Sequence, residues 1–221
     1  MKSRLGIFGG AFDPVHQGHI GAARFALETL DLDAVQMIPC NVPNHKESLS
    51  ASAMHRMAML ELALRDEPSI TPDDCEIRRG GISYASETVS AFVEAGCWQH
   101  RVFVMGMDAF NGLPSWHDWQ GFLDSCHILV LGRSGQIVDE LVAVEVDLER
   151  RQVTEPHKLF EQSVGQVHLS RLFDVELSST QVRSLLRENG SVSGLLNPSV
   201  FNYIEEHSLY GCKPSSSDKT E

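Results

Sequence analysis

Short apolar runs that stop at glycine or proline alternate along this chain with longer stretches whose apolar residues recur every three or four positions. The first run, 5–8, ends at Gly9-Gly10 and predicts a buried strand entering a tight loop. Ile20, Ala23, Leu27 and Leu30 fall at helical spacing and predict a helix over 18–30. A second strand is predicted at 35–38, stopped by Pro39, and a helix at 51–65 whose Met54, Met57 and Met59 read as core filler. A poorer strand over 70–77 is interrupted by Pro72 and two aspartates. There follow a helix at 84–95, strands at 102–105 and 127–131 that each end in glycine, a strand at 167–169, and helices at 179–188 and 198–207.

Strands that alternate with helices imply an α/β fold: a Rossmann-like open parallel sheet with helices on both faces and a helical C-terminal extension across its ligand edge. No repeat or low-complexity linker divides the chain, so 1–210 reads as a single domain and 211–221, polar and without period, as a disordered tail. In such sheets ligands sit beyond the strand C-termini, which directs attention to the loops after strands.

Composition narrows the class. The 221 residues are 42% hydrophobic and 22% charged, as in ordinary globular proteins. A net charge of −12 argues against binding nucleic acid or anionic membranes. It leaves room for a small anion held by local bases and helix N-termini. Cys40, Cys75, Cys97, Cys126 and Cys212 are odd in number and form no CxxC pair, so neither a disulfide framework nor a zinc site is expected and a reducing compartment is. The N-terminal apolar run is too short for a signal peptide and no stretch approaches a membrane span; the expected location is the cytoplasm.

Two segments carry candidate chemistry. After the first strand comes Gly9-Gly10-Ala11-Phe12-Asp13-Pro14-Val15-His16-Gln17-Gly18-His19. The paired glycines allow a tight turn and close approach to a ligand. His16 and His19, three apart at a helix start, can share a face beside free backbone amides and make an anion pocket. No third ligand completes a metal shell around them. Near the other end, Leu177-Ser178-Ser179-Thr180-Gln181-Val182-Arg183 reads as a capped helix start, and Arg183, one turn in, can lean back toward an anion there.

The loops after other strands add candidates. Asn41 to Lys46 follows the second strand; Arg56, on the next helix, reads as a surface charge. Ser83 to Thr88 opens a helix with free amides. Gly106 permits a close backbone approach, Asp108 is an acceptor beside it, and Trp116, in a loop after Pro114, offers a flat aromatic face, whereas Trp119 reads as core.

GGAFDPVHQGH and LSSTQVR together resemble the nucleotidyltransferase superfamily marked by HxGH, and among its members bacterial nicotinate-nucleotide adenylyltransferases most. The resemblance runs from Leu5 to about Tyr210. Ala11 and Ala85 stand where that family usually has hydroxyl residues, and Ser134 follows Arg133 where it often has proline. The resemblance implies transfer of AMP from ATP to nicotinate mononucleotide, giving nicotinate adenine dinucleotide and pyrophosphate in NAD biosynthesis. It implies catalytic roles for His16, His19 and Arg183. ATP would be held by these together with Gly9, Gly10 and Phe12, with Gly106 and Asp108, and with Ser178, Ser179 and Thr180. The mononucleotide would meet Asn41, Lys46, Tyr84, Ala85, Trp116 and His117, the nicotinate carboxylate falling on the amides of Ala85 and His117. Gly132-Arg133 would line the ATP side. Mg2+ would ride on substrate phosphates and water, with no protein metal cage, and a homo-oligomer is compatible with all of this. The rivals are a superfamily member with a phosphopantetheine or cytidylyl acceptor, and a nucleotide-binding regulator without catalysis.

Overall fold

A computed structural model describes residues 2–44, 49–132, 135–173 and 177–212. Among the described residues, nine strands and ten α-helices follow one another: β1 (Lys2–Gly10), α1 (Gln17–Leu30), β2 (Ala34–Pro39), β3 (Val42–Pro43), α2 (Ala53–Ala63), β4 (Ile70–Pro72), α3 (Cys75–Arg79), β5 (Ile82–Ser83), α4 (Ala85–Ala95), β6 (Trp98–Gly106), α5 (Met107–Asn111), α6 (Trp119–Leu123), β7 (His127–Leu131), α7 (Glu140–Glu145), α8 (Leu148–Arg151), β8 (Gln152–Val153), β9 (Val167–Ser170), α9 (Ser179–Arg187) and α10 (Pro198–Glu206). Seven strands form one sheet in the order β4-β2-β1-β6-β7-β9-β8, every pair parallel; β3 and β5 make a separate parallel pair.

Parallel strands buried on both faces explain the continuous apolar runs. Val102 and Val104 of β6 point into one core with Leu129 and Leu131 of β7, while Phe103, Met105, Ile128 and Val130 point into the other. The first core is closed by α1, α2, α9 and α10, the second by α4, α5 and α6, so helices do cover both faces. The chain leaves β1 to build β2 and β4 on one side and returns to place β6 on the other. The direction of winding therefore reverses between β1 and β6, and there the strand ends leave a crevice.

Several expectations need correction. The strand expected over 70–77 stops at Pro72, which has no N–H to donate; Asp73 then accepts the Cys75 N–H (2.8 Å) and α3 begins. Strand β6 starts four residues earlier than expected, because pairing with β1 extends down to Trp98 opposite Lys2. Met59 is core, but Met54 is 69% exposed. The chain stays packed through Cys212, which is buried, beyond the boundary expected at 210; residues 213–221 lie outside the described set. No helix among the described residues is long and apolar enough to cross a membrane. Cys75, Cys97 and Cys126 are free thiols.

Candidate active site

A cavity of about 320 Å³ opens at the reversal point. One wall is the end of β1 with its loop, Phe8 to Ala11; a second is Met105 and Gly106 at the end of β6. Tyr84 and Ala85 at the start of α4, Pro43 and Asn44 after β2, and Trp116 and His117 complete it. A Cβ on Gly10 would lie 3.0 Å from the Phe12 ring, which would have to give, whereas one on Gly106 would meet nothing within 4 Å.

His16 is the N-cap of α1 and His19 sits in its first turn. Their rings stack with centroids 3.7 Å apart, and the His16 N–H donates to Nδ1 of His19 (3.2 Å). Helical side chains lean toward the N-terminus, which brings the second imidazole back over the first. Neither histidine is part of the cavity wall, but Phe8 joins the two regions: it lines the cavity and its ring lies 6.3 Å from His19. His16 is buried, and burial lowers its pKa from 6.5 to about 4. Its Nδ1 has no hydrogen-bond partner among the described residues. The imidazole is therefore neutral at pH 7 and holds an unspent polar atom.

The second motif lies against the first. In α9, Ser178 caps by accepting the Gln181 N–H (3.3 Å), and the Gln181 side chain accepts the Ser178 N–H (2.8 Å), a reciprocal box. Ser179 Oγ donates to the Pro14 carbonyl (3.0 Å), and Arg183 donates to the Asp13 carbonyl (2.7 Å) and to Thr180 Oγ1 (3.1 Å). The guanidinium thus sits on the loop that ends in His16. The hydroxyls of Ser178 and Ser179 are engaged within the protein; what α9 offers an anion is its first-turn amides and Arg183. Phe12 is 1% exposed and packs edge-on to His19, outside the cavity wall. It also holds φ +47°, a strained value for an aromatic residue that dense packing must maintain.

At the cavity, Tyr84 caps α4 without a side-chain hydrogen bond, leaving the first-turn amides beside Ala85 free of a side-chain partner from the cap. The Tyr84 and His117 rings are 4.4 Å apart. Trp116 is half-buried, braced edge-on by Phe103 at 6.2 Å and tilted against Phe122, with a side on the cavity. Trp119 packs on the same core, as its spacing implies. Asn41 is not in the cavity wall: its side chain donates to Gly81 O and its N–H to Ser83 Oγ (both 2.9 Å), which fastens β3 beside β5. Asp108 lies in the first turn of α5 and accepts from Gln136 (3.2 Å). Lys46 and Arg133 lie outside the described residues.

Four residues escaped the sequence reading. Asp13, read as a turn residue, is 3% exposed and accepts from Ser50 N (2.7 Å), Ala51 N (3.0 Å) and Tyr210 Oη (2.8 Å), so it locks two distant segments onto the first motif. Arg56, expected on the surface, is 1% exposed. Its spacing carried the signal, since Arg56, Met59, Leu60 and Ala63 are the buried stripe of α2. Glu76 lines the cavity and accepts from Thr88 Oγ1 (2.6 Å), which also takes a hydrogen bond from Arg79 (3.1 Å). Nothing local in the sequence marks the Glu76 or Tyr210 contacts.

Comparison with known proteins agrees with this geometry. The sequence model of the cytidylyltransferase-like family matches residues 7–185. A probable nicotinate-nucleotide adenylyltransferase of Methylococcus capsulatus is 36% identical over 207 residues, covering 93% of this chain and 99% of that protein. One from Pseudomonas aeruginosa is 37% identical over 211 residues, covering 95% and 98%. Among solved structures, Plasmodium falciparum nicotinic acid mononucleotide adenylyltransferase complexed with NaAD superposes with a TM-score of 0.74 at 16% identity, covering 96% of this chain and 98% of that one, a likeness of fold. The chain belongs to the cytidylyltransferase-like family and, within it, to the nicotinate-nucleotide adenylyltransferases.

Proposed function

We propose that this protein transfers the adenylyl group of ATP to the 5′-phosphate of nicotinate mononucleotide, releasing pyrophosphate. The observation that carries the reading is the docking of α9 on the loop before α1: Arg183 on Asp13 O and Ser179 on Pro14 O bring two helix N-termini and a guanidinium beside His16 and His19. The adjoining cavity, walled by Trp116, Tyr84 and His117, has the aromatic lining a pyridine ring needs.

A phosphate monoester is mostly dianionic near neutral pH, so the nucleophile needs no protein base. The chain must instead hold two anions in line and stabilise charge that builds on the α-phosphate. His16 and His19 are assigned to the transferring phosphate. Being neutral in the free protein, His16 serves as a hydrogen-bond donor rather than a standing charge. Arg183, the α9 amides and Lys46 are assigned to the triphosphate, with Gly9, Gly10, Gly106 and Asp108 toward the nucleoside. Ala85 and His117 offer amides to the nicotinate carboxylate. The Glu76 carboxylate in the same cavity opposes a second negative charge, so the amide donors must outweigh it. Mg2+, when bound, shields the phosphates and eases departure of pyrophosphate.

The deciding experiment offers ATP with nicotinate mononucleotide, nicotinamide mononucleotide or phosphopantetheine and follows pyrophosphate. Release should be fastest with the first. Release with phosphopantetheine alone, or ATP binding without turnover on any acceptor, would overturn the reading.

A further inference from the structure

We infer that Arg56 is a positioning residue for the transfer, setting the phosphate-side loop and the acceptor-side loop in register with each other. The inference rests on the adenylyl-transfer reading for its kinetics but on geometry for its structure. The guanidinium is buried and, among the described residues, has no carboxylate ion-pair partner. It donates instead to four backbone carbonyls: Ala11 (2.8 Å), Cys40 (2.5 Å), Asn41 (3.2 Å) and, through Nε, Ala51 (3.3 Å). A buried cation is costly to retain where an apolar side chain would fill the space. Here it is matched to a fork of carbonyls that only a planar guanidinium can span.

Those carbonyls belong to the two sides of the site. Ala11 and Cys40 both line the cavity. Across a trans peptide the C=O and the following N–H point in opposite directions. With the Cys40 carbonyl on Arg56, the Asn41 N–H must face away, and it donates to Ser83 Oγ, which is cavity wall next to Tyr84 and Ala85. With the Ala11 carbonyl on Arg56, the Phe12 N–H is likewise turned away from it. One side chain therefore orients peptide planes in the glycine loop and, through Ser83, in the segment that opens α4. Ala51 is held on both sides, its N–H donating to Asp13 and its carbonyl accepting from Arg56, so the clamp also joins the loop that carries His16.

A residue that sets two substrates relative to each other should affect turnover more than the binding of either one. A misplacement of about 1 Å costs about 100-fold in rate. For Arg56→Met we expect kcat to fall about 100-fold while the KM values for ATP and nicotinate mononucleotide stay within about threefold. Arg56→Lys, which keeps the charge but not the fork, should recover at most about tenfold of that. Amide hydrogen exchange in both variants should rise at 9–12 and 40–42 while the β7 amides stay protected. Wild-type kcat in either folded variant, or a rise in KM at unchanged kcat, would overturn the inference. So would unchanged exchange at those segments, or failure of both variants to fold, which would leave Arg56 a scaffold residue only. If the wild type itself transfers nothing, the functional reading fails, and the exchange comparison still decides the role of Arg56.

Discussion

Two histidines separate two uses of burial. His16 and His127 are both pushed down by desolvation, to about 4 and about 3. A folded pKa below the unfolded value of 6.5 means the unfolded chain takes up protons that the native state refuses, so stability is lost as pH falls below 6.5. Each imidazole should cost about 2 kcal/mol between pH 7.5 and pH 5. Urea midpoints at the two values should show His127→Gln losing about 2 kcal/mol less than wild type over that interval; an equal loss would mean His127 is not held neutral. His16 has the same thermodynamic sign but adjoins the reaction. Its stacked neighbour His19 is half-exposed and is the one to remove: His19→Ala should keep the fold by circular dichroism and lose about 100- to 1000-fold in turnover. Trp116→Ala should raise the KM for the mononucleotide with little change for ATP, since its indole is braced on the acceptor side. The sequence reading singled out His16, His19 and Trp116 but not His127. The protonation of the histidines was not legible there, because desolvation depends on what folds over the ring.

At the scale of elements, the first and last segments of the chain close the site together. Tyr210 donates to the buried Asp13 carboxylate, and burial and that carboxylate together hold the phenol well above its ordinary pKa, so it stays a donor. Hydrogen bonds to a charged group contribute about 1.5–3 kcal/mol, so Tyr210→Phe should lower the thermal midpoint by several degrees and loosen the loop before His16. Proteolysis near residues 9–16 would report the loosening. Ser178→Ala breaks the capping box of α9 and should cost about 1 kcal/mol without moving the cavity. The α9 start was predicted from its hydroxyl residues and apolar face, and the structure has it at Ser179. By contrast α3 was read as strand, because Pro72 and the two aspartates that end β4 and start the helix interrupt any period. Helix α2 was predicted, yet the direction of its buried stripe was misjudged by treating Arg56 as an outward charge.

For the molecule as a whole, a chain with a net charge of −12 meets two anionic substrates, so attraction must be local. In the proposed function it comes from the starts of α1 and α9 and from Arg183, which lies on the loop before His16, rather than from a basic surface. If the metal rides on phosphates, EDTA should abolish turnover and Mg2+ restore it, while the thermal midpoint of the substrate-free protein does not change; a midpoint that falls with EDTA would point to a metal held by the chain. By itself the sequence determined the class of fold and the helix starts of the two motifs assigned to phosphate, because strand and helix periods, glycine turns and caps are local properties. Only the tertiary structure decided that Asp13, Arg56 and Tyr210 form one buried frame around those motifs, that Glu76 faces the acceptor cavity, and that His16 is neutral. Each of these depends on which distant groups are brought together in a place that water has left.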